Sequence, residues 1–229
     1  MGGCVRDLPE LRDRTGVFRD RDHAGEVLAG LMEGYRASGA LLLAIPAGGV
    51  PVAFRLASRL GLPLDAAPVS KITLPWNSEA GYGAVAFDGT VRLNQDLLGR
   101  LGLSPEEIRQ GVEHTREKVR RRARELRRGR PPLGPGLLAG RPAVLVDDGL
   151  ASGFTMSVAV AAVRNCGAGP ISVAVPTGHR DAVDWLAPEV EELVCANVRS
   201  GGFFAVAEAY RSWSDVGEEE ARRLLAAAV

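Results

Sequence analysis

Two adjacent carboxylates followed by small and hydroxylated residues are the most chemically specific feature of the sequence: Val146-Asp147-Asp148-Gly149-Leu150-Ala151-Ser152-Gly153-Phe154-Thr155. The apolar run Ala143-Val144-Leu145-Val146 precedes them, and Gly153 to Asn165 reads as a helix. The loop therefore falls between the end of a buried strand and the start of a helix, where open parallel sheets bind ligands. Backbone amides of residues 151 to 155, the hydroxyls of Ser152 and Thr155 and the positive end of the helix can cradle a phosphate dianion. Gly153 lets backbone approach it closely. Asp147 and Asp148 repel phosphate, so they suit a neighbouring part of the ligand: they can accept hydrogen bonds from sugar hydroxyls or hold a hydrated magnesium ion. An anion cradle beside a diol clamp describes a ribose 5-phosphate. A plain strand end and helix cap would explain the dipeptide alone, but not the whole ordered combination.

A second loop, Ile45-Pro46-Ala47-Gly48-Gly49, follows the run Leu41-Leu42-Leu43-Ala44 and so lies at the same sheet edge, where two successive glycines can aim amides at an oxyanion. Lys71, at the end of the next strand, is a point charge suited to a polyanion. Trp76 and Tyr82, in the polar and Gly-rich segment Thr73 to Gly83, are candidates for a lid or for stacking on a planar substrate, and equally for packing. Phe203 and Phe204, near Tyr210 and Trp213, form a second aromatic group. Being adjacent, they point to opposite faces if extended, so at most one can touch a ligand.

The elements that must position these residues alternate as parallel strands and crossover helices do. A helix capped by Asp22 is expected to about Ser38, the strand Leu41 to Ile45, a helix from Val50 to Leu60, and a strand through Ala66 to Ile72. Gly83 to Leu93 reads as a hairpin with a type I′ turn at Asp88-Gly89. Ser104-Pro105-Glu106-Glu107 is a capping box opening a long helix toward Arg128. After the Pro/Gly-rich break at 131–136 come the strand 143–146, its helix, the strand Ile171 to Val175, a helix from Arg180 to Leu186, the strand Val190 to Ala196 and a final helix from Glu218 to Ala228. The organisation expected is a polar leader at 1–17 and one α/β domain at 18–229, with an insertion at about 73–136 and the aromatic segment at 203–213.

Formal net charge is zero, which removes any global signature for nucleic acid or anionic membrane. From Arg116 to Arg130, nine basic residues face only Glu117 and Glu125. Ile108, Val112, Val119, Ala123 and Leu126 form an apolar stripe on that helix, so it is expected to dock by one face and solvate its arginines on the others. The longest apolar stretch, Leu41 to Phe54, is broken by prolines and glycines and too short to span a bilayer, and the amino-terminal residues have no secretory h-region. Cys4, Cys166 and Cys195 suit neither a disulfide framework nor a zinc site, so a reducing compartment, the cytoplasm, is expected. His23, His114 and His179 have no metal-ligand spacing.

Over thirteen consecutive positions, Ala143 to Thr155 resembles the phosphoribosyl pyrophosphate signature of type I phosphoribosyltransferases, with Gly149 where an aliphatic residue is usual. Phe18-Arg19-Asp20-Arg21, Ile45 to Ala53 and the Phe203 to Trp213 tail are similar to a bacterial and archaeal branch of that family. The resemblance implies an α/β fold with a parallel sheet flanked by helices. It implies that Asp147 and Asp148 bind the ribose hydroxyls, that Ala151, Ser152, Gly153, Phe154 and Thr155 hold the 5-phosphate, and that Ala47, Gly48 and Gly49, often with a cis peptide, hold pyrophosphate together with Lys71. Ala47 stands where relatives carry arginine. Ala151 stands where several purine-specific relatives carry an acid, which disfavours a 6-oxopurine acceptor. The activity implied is transfer of the phosphoribosyl group to a nitrogenous acceptor in nucleotide metabolism, with Mg2+ as cofactor held by Asp147 and Asp148 through water, a mobile loop near residues 73–83, and a homo-oligomeric state. The rival expectation is a non-catalytic sensor of phosphoribosyl pyrophosphate that uses the basic helix to touch nucleic acid or a partner. Neither nucleic acid nor membrane is the expected partner.

Overall fold

Two runs without a polar residue, Leu41-Leu42-Leu43-Ala44 and Ala143-Val144-Leu145-Val146, pair side by side at the centre of the molecule and are buried at every position. The computed structural model describes residues 3–74 and 76–228. Pro75 and the side chains at 78–80, part of the expected lid segment, lie outside the described residues, as do positions 1, 2 and 229 of the expected leader and domain.

In chain order the elements are β1 (Cys4–Arg6), α1 (Arg21–Leu31), β2 (Leu41–Ala44), α2 (Gly49–Leu60), β3 (Leu64–Ala66), β4 (Val69–Leu74), β5 (Asn77–Ala86) and β6 (Val91–Leu93). There follow α3 (Gln95–Leu101), α4 (Pro105–Leu126), α5 (Pro135–Leu138), β7 (Ala143–Val146), α6 (Phe154–Asn165), β8 (Ile171–His179), α7 (Arg180–Leu186), β9 (Glu192–Arg199) and α8 (Glu218–Ala227). Six strands form a parallel sheet in the order β1-β9-β8-β7-β2-β3, and β4-β5-β6 form a separate antiparallel sheet. Successive side chains of a strand point to opposite faces, so Leu43, Leu145, Val173 and Cys195 pack with α6 and α7. Leu42, Val144, Ala174 and Val194 pack on the other side with α1, α2 and α8. A third cluster, Ile72, Leu74, Tyr82, Val85 and Val119, joins the antiparallel sheet to α3 and α4. Among the described residues no helix is long and apolar enough to cross a membrane.

Several local expectations need correction. Asp20, rather than Asp22, caps α1 by accepting from the His23 amide at 2.8 Å. That helix stops at Leu31, because the Met32 amide is shared between the Leu28 and Ala29 carbonyls and tightens the chain into a 3-10 turn. The single strand expected through Ala66 to Ile72 is two strands in different sheets, separated at Ala67-Pro68, where proline lacks the donor a ladder requires. The hairpin is present, but Gly89 has φ 94° while Asp88 keeps a negative φ. Its turn closes by Gly89 N–H to Ala86 O at 3.0 Å and Ala86 N–H to Thr90 O at 2.9 Å, a type I turn followed by a left-handed glycine. The Asp88 carboxylate holds it by accepting from the Thr90 amide and hydroxyl. The leader is not separate either, since β1 pairs parallel with β9 at the sheet edge.

Candidate functional site

Strand β2 runs through α2 to β3 on one side, while its neighbour β7 runs through α6 to β8 on the other. The chain thus reverses its winding between β2 and β7, and loops leaving their carboxyl ends border the crevice where such sheets bind ligands. One loop is 45–48 and the other 147–153. They touch intimately: a Cβ on Gly48 would lie 2.1 Å from Asp148 Oδ2, and one on Gly49 would lie 2.8 Å from Asp147 Cα. At Gly49 backbone bars any side chain, whereas at Gly48 the obstacle is the Asp148 carboxylate. The Pro46-Ala47 peptide is cis. The Gly49 amide is engaged by the Ile45 carbonyl at 3.0 Å, whereas the amides of Ala47 and Gly48 have no partner among the described residues. The free donors of this loop are therefore those two, and not the pair of glycines.

The carboxylates differ in their surroundings. Asp148 Oδ2 accepts from Arg21 Nε and Nη2, both at 2.9 Å. Arg21 also donates to the Ser214 carbonyl at 2.7 Å and stacks 3.8 Å from the centre of the Trp213 ring. The Tyr210 hydroxyl donates to the Asp148 carbonyl oxygen at 2.6 Å. Among the described residues Asp147 forms no ion pair; its Oδ1 accepts from the Asp148 amide at 2.9 Å. Burial and the adjacent Asp148 charge push the Asp147 carboxyl well above the usual range. Burial also raises Asp148, but the Arg21 guanidinium opposes it. The pair thus consists of one carboxylate locked by arginine and one that faces the cleft.

Beyond the diacid, Gly153 takes the left-handed conformation (φ 74°) at the start of α6. The amides of Ala151, Ser152, Gly153 and Thr155 have no partner among the described residues; Phe154 N–H meets Ser152 Oγ at 3.4 Å. A row of open donors at a helix amino terminus attracts an anion by partial charge and by hydrogen bonding. Ala151, Ser152, Gly153 and Thr155 line a cleft of about 390 Å³ together with Asp147, Ile45, Pro46 and Lys71. Phe154 lines an adjoining cleft of about 510 Å³, which shares Lys71, Ser152 and Thr155 with the first.

Two further cations reach the first cleft from α4, Lys118 and Arg122. Arg122 is paired with Glu218 at 2.5 Å and its Nε is buried without a hydrogen-bond partner among the described residues. Lys71 and Lys118 form no ion pair among the described residues. The basic helix is therefore not simply solvated on its charged faces. Thr115, Val119 and Leu126 are its buried positions, and Arg122 stands on the same 115-119-122-126 stripe, spaced four, three and four residues apart. An arginine on a docking stripe is a signal the sequence contained.

The expected aromatics are elsewhere. Tyr82 is buried in the third core cluster, its hydroxyl where a Cβ on Gly111 would clash at 2.1 Å. Trp76, 63% exposed, shares with Tyr82, Glu107, Gln110 and His114 a separate cleft that meets the first at Thr73. Phe203 is 78% exposed. Phe204 packs edge-on to His179 at 5.7 Å and under Arg199 at 5.2 Å. From that segment it is Val206 that lines the cleft, packed over Gly149. The small residue at 149 makes room for it: a Cβ there would lie 2.4 Å from the Val206 side chain.

Loops 45–48 and 147–153 thus face each other across the switch point of a parallel α/β sheet, the second carrying both a diacid and a row of open amides, an arrangement suited to a ligand with an anionic group. No protein-family model matches the chain. It is 36% identical over 209 residues to proteins of Mycobacterium tuberculosis, strains CDC 1551 / Oshkosh and H37Rv, provisionally named phosphoribosyl transferase. The match covers 89% of this chain and 45% of theirs, so the chain spans about half the length of these curated relatives. A solved structure from Thermus thermophilus is 35% identical, with 91% of this chain and 97% of that one covered and a TM-score of 0.73. Over most of its length the chain is therefore a relative of proteins named phosphoribosyl transferase.

Proposed function

We propose that the protein transfers the 5-phosphoribosyl group of phosphoribosyl pyrophosphate to a nitrogenous acceptor of nucleobase type and releases pyrophosphate. The observation that carries this reading is one cleft lined at once by Ala151, Ser152, Gly153 and Thr155 of the cradle, by Asp147 and by the cations Lys71, Lys118 and Arg122. The cradle takes the 5-phosphate, Asp147 and Asp148 the ribose hydroxyls, and the free amides of Ala47 and Gly48 the pyrophosphate. Lys71, Lys118 and Arg122 supply its countercharge, including that of the arginine absent at position 47. The C1–oxygen bond to pyrophosphate breaks, a C1–nitrogen bond forms, and the acceptor gives up its proton. Because the sugar becomes cationic on the way, the protein's work is positioning and charge stabilisation.

The donor set fits magnesium held largely by the substrate's phosphates and by water, as is usual for this ion. Among the described residues no group of three or more His, Cys, Asp or Glu side chains is placed to hold a metal. Asp147 faces the cleft and Asp148 is already paired, so both would hold the ion through water. When bound, it offsets the diphosphate charge. The free thiols of Cys4, Cys166 and Cys195 support a reducing, cytoplasmic location. The apolar residues of the cleft, among them Ile45, Val69, Met156 and Val206, offer surface to a planar acceptor.

Calorimetric titration tests the assignment. Ser152→Ala and Thr155→Ala are each expected to raise the dissociation constant of phosphoribosyl pyrophosphate about tenfold, the effect of one hydrogen bond to a charged group at ~1.4 kcal/mol. Ribose 5-phosphate competes and ribose does not; equal competition by ribose contradicts a phosphate cradle. Lys71→Met and Lys118→Met are expected to weaken pyrophosphate binding about tenfold each while leaving ribose 5-phosphate within about twofold, since those cations face the other end of the ligand. Equal losses for both ligands would place the lysines at the wrong end.

A further inference from the structure

We propose that the carboxyl-terminal end of α4 carries a second anion site, separate from the cleft, that binds a phosphorylated small molecule of nucleotide size. A cavity of about 300 Å³ there is lined by Arg124, Arg127, Arg128 and Arg130, with Pro68, Phe87, Pro132 and Leu133 as an apolar wall. Arg127 is 5% exposed. Its Nη2 donates to the Pro131 carbonyl at 2.5 Å and pairs with Asp65 at 3.0 Å, but its Nε and Nη1 are buried with no hydrogen-bond partner among the described residues.

Buried guanidinium donors left unpaired are costly, and native structures satisfy them by protein, water or ligand. Asp65 cannot satisfy them alone, because it also faces Arg130 at 3.8 Å. Arg130 is otherwise engaged by the carbonyls of Leu64 and Leu225 at 3.3 and 2.8 Å. Arg124 and Arg128 are exposed and make no hydrogen bond or ion pair among the described residues. Four guanidiniums, with Asp65 against two of them and Glu219 near Arg128, leave a positive surplus that the roughly half-unit negative charge of a helix carboxyl end does not cancel. A phosphate group answers this surplus with oxygens that arginine binds in a forked geometry. The Phe87, proline and leucine wall gives a planar or apolar remainder of the ligand a place to pack, which bare phosphate would leave unused. The last turn of α4 and the segment that follows it supply these arginines, and the same helix supplies Lys118 and Arg122 to the cleft, so an experiment must read the two sites separately.

Adenosine 5′-monophosphate, adenosine and a short single-stranded RNA serve as probes of the full chain in equilibrium dialysis. Arg124→Ala combined with Arg128→Ala, two exposed side chains outside the core, is expected to remove one adenosine 5′-monophosphate site or weaken it at least about thirtyfold. Ribose 5-phosphate binding in the cleft and the melting temperature stay as in the wild type. Ser152→Ala combined with Thr155→Ala leaves the arginine-dependent site intact. Adenosine does not compete. Because the readout is the arginine-dependent site alone, it stands whether or not the cleft binds phosphoribosyl pyrophosphate. Unchanged nucleotide stoichiometry and affinity in the arginine variant overturns the proposal. Binding of the RNA to the wild type without any arginine-dependent nucleotide site does so as well, and assigns the patch to a polymer.

Discussion

Asp147→Asn is expected to weaken phosphoribosyl pyrophosphate binding by about 10- to 100-fold, the loss of a charge-assisted hydrogen bond of ~1.5–3 kcal/mol, and at the same time to raise the melting temperature of the unliganded protein at neutral pH. The two effects have one cause. Burial and the Asp148 charge lift the Asp147 pKa above its unfolded value, so the folded state holds that proton more tightly. Stability from this group is fully present below an unfolded carboxylate pKa of about 3.9 and is lost as pH rises through the raised folded value. Above the unfolded pKa this carboxyl therefore works against folding, and the neutral isostere removes that penalty. Its oxygen can still accept from the Asp148 amide. Thermal melts with and without ligand, from pH 5 to pH 8, check this: the stabilising effect of Asp147→Asn shrinks as pH falls and wild-type Asp147 becomes protonated. A variant that is less stable than wild type at pH 8 would show that Asp147 is not held under electrostatic penalty.

Arg21→Ala is expected to destabilise the fold by about 3–5 kcal/mol, because removing one partner of a buried pair leaves the other charge uncompensated. For a domain of this size that is a drop of roughly 6–20 °C in melting temperature. Arg21 connects α1, the diacid and the carboxyl-terminal segment at once through Asp148, the Ser214 carbonyl and the Trp213 ring. Trp213→Ala removes the stacking on Arg21, of order 1 kcal/mol, and a ring contact with Tyr210, but leaves the ion pair in place and is expected to cost less. Without Arg21 the Asp148 pKa loses the main influence that lowers it and rises further. The stability lost at neutral pH should therefore be partly regained as pH falls toward 5. A loss below about 1 kcal/mol with no pH dependence would mean that the pair is solvated and contributes as little as surface pairs do.

The parts of this structure legible in the sequence are those set by neighbours along the chain. The apolar run Ala143 to Val146, the capping box at Ser104 and the loop 147–155 carry their own local chemistry, and strand, helix start and site follow from it. What was not legible depends on contacts between distant segments. Arg21 stands in a quoted motif, yet nothing local says that it reaches Asp148, 127 residues away. Lys118 and Arg122 look like two more charges in a basic run until α4 is laid beside β4 and the cleft. Strand β1 is three exposed residues whose extended form comes from an edge of β9 that the sequence does not display. Tyr82 could be read as lid or core because an aromatic in a Gly-rich segment suits both, and only the position of Gly111 decides. At Gly149, a departure from the usual aliphatic residue is explained by Val206, which occupies the space a side chain there would need.

Pyrophosphate release from phosphoribosyl pyrophosphate, measured against a panel of nucleobases and heterocyclic amines with and without magnesium, tests phosphoribosyl transfer most directly. The expected result is release that requires both magnesium and one acceptor class, with the phosphoribosylated acceptor formed in equal amount. It should disappear when Asp147→Asn and Asp148→Asn are combined, which removes both sugar-hydroxyl acceptors. Release that persists unchanged in that double variant, or a wild-type protein that does not bind phosphoribosyl pyrophosphate at all, would contradict the assignment of the cleft.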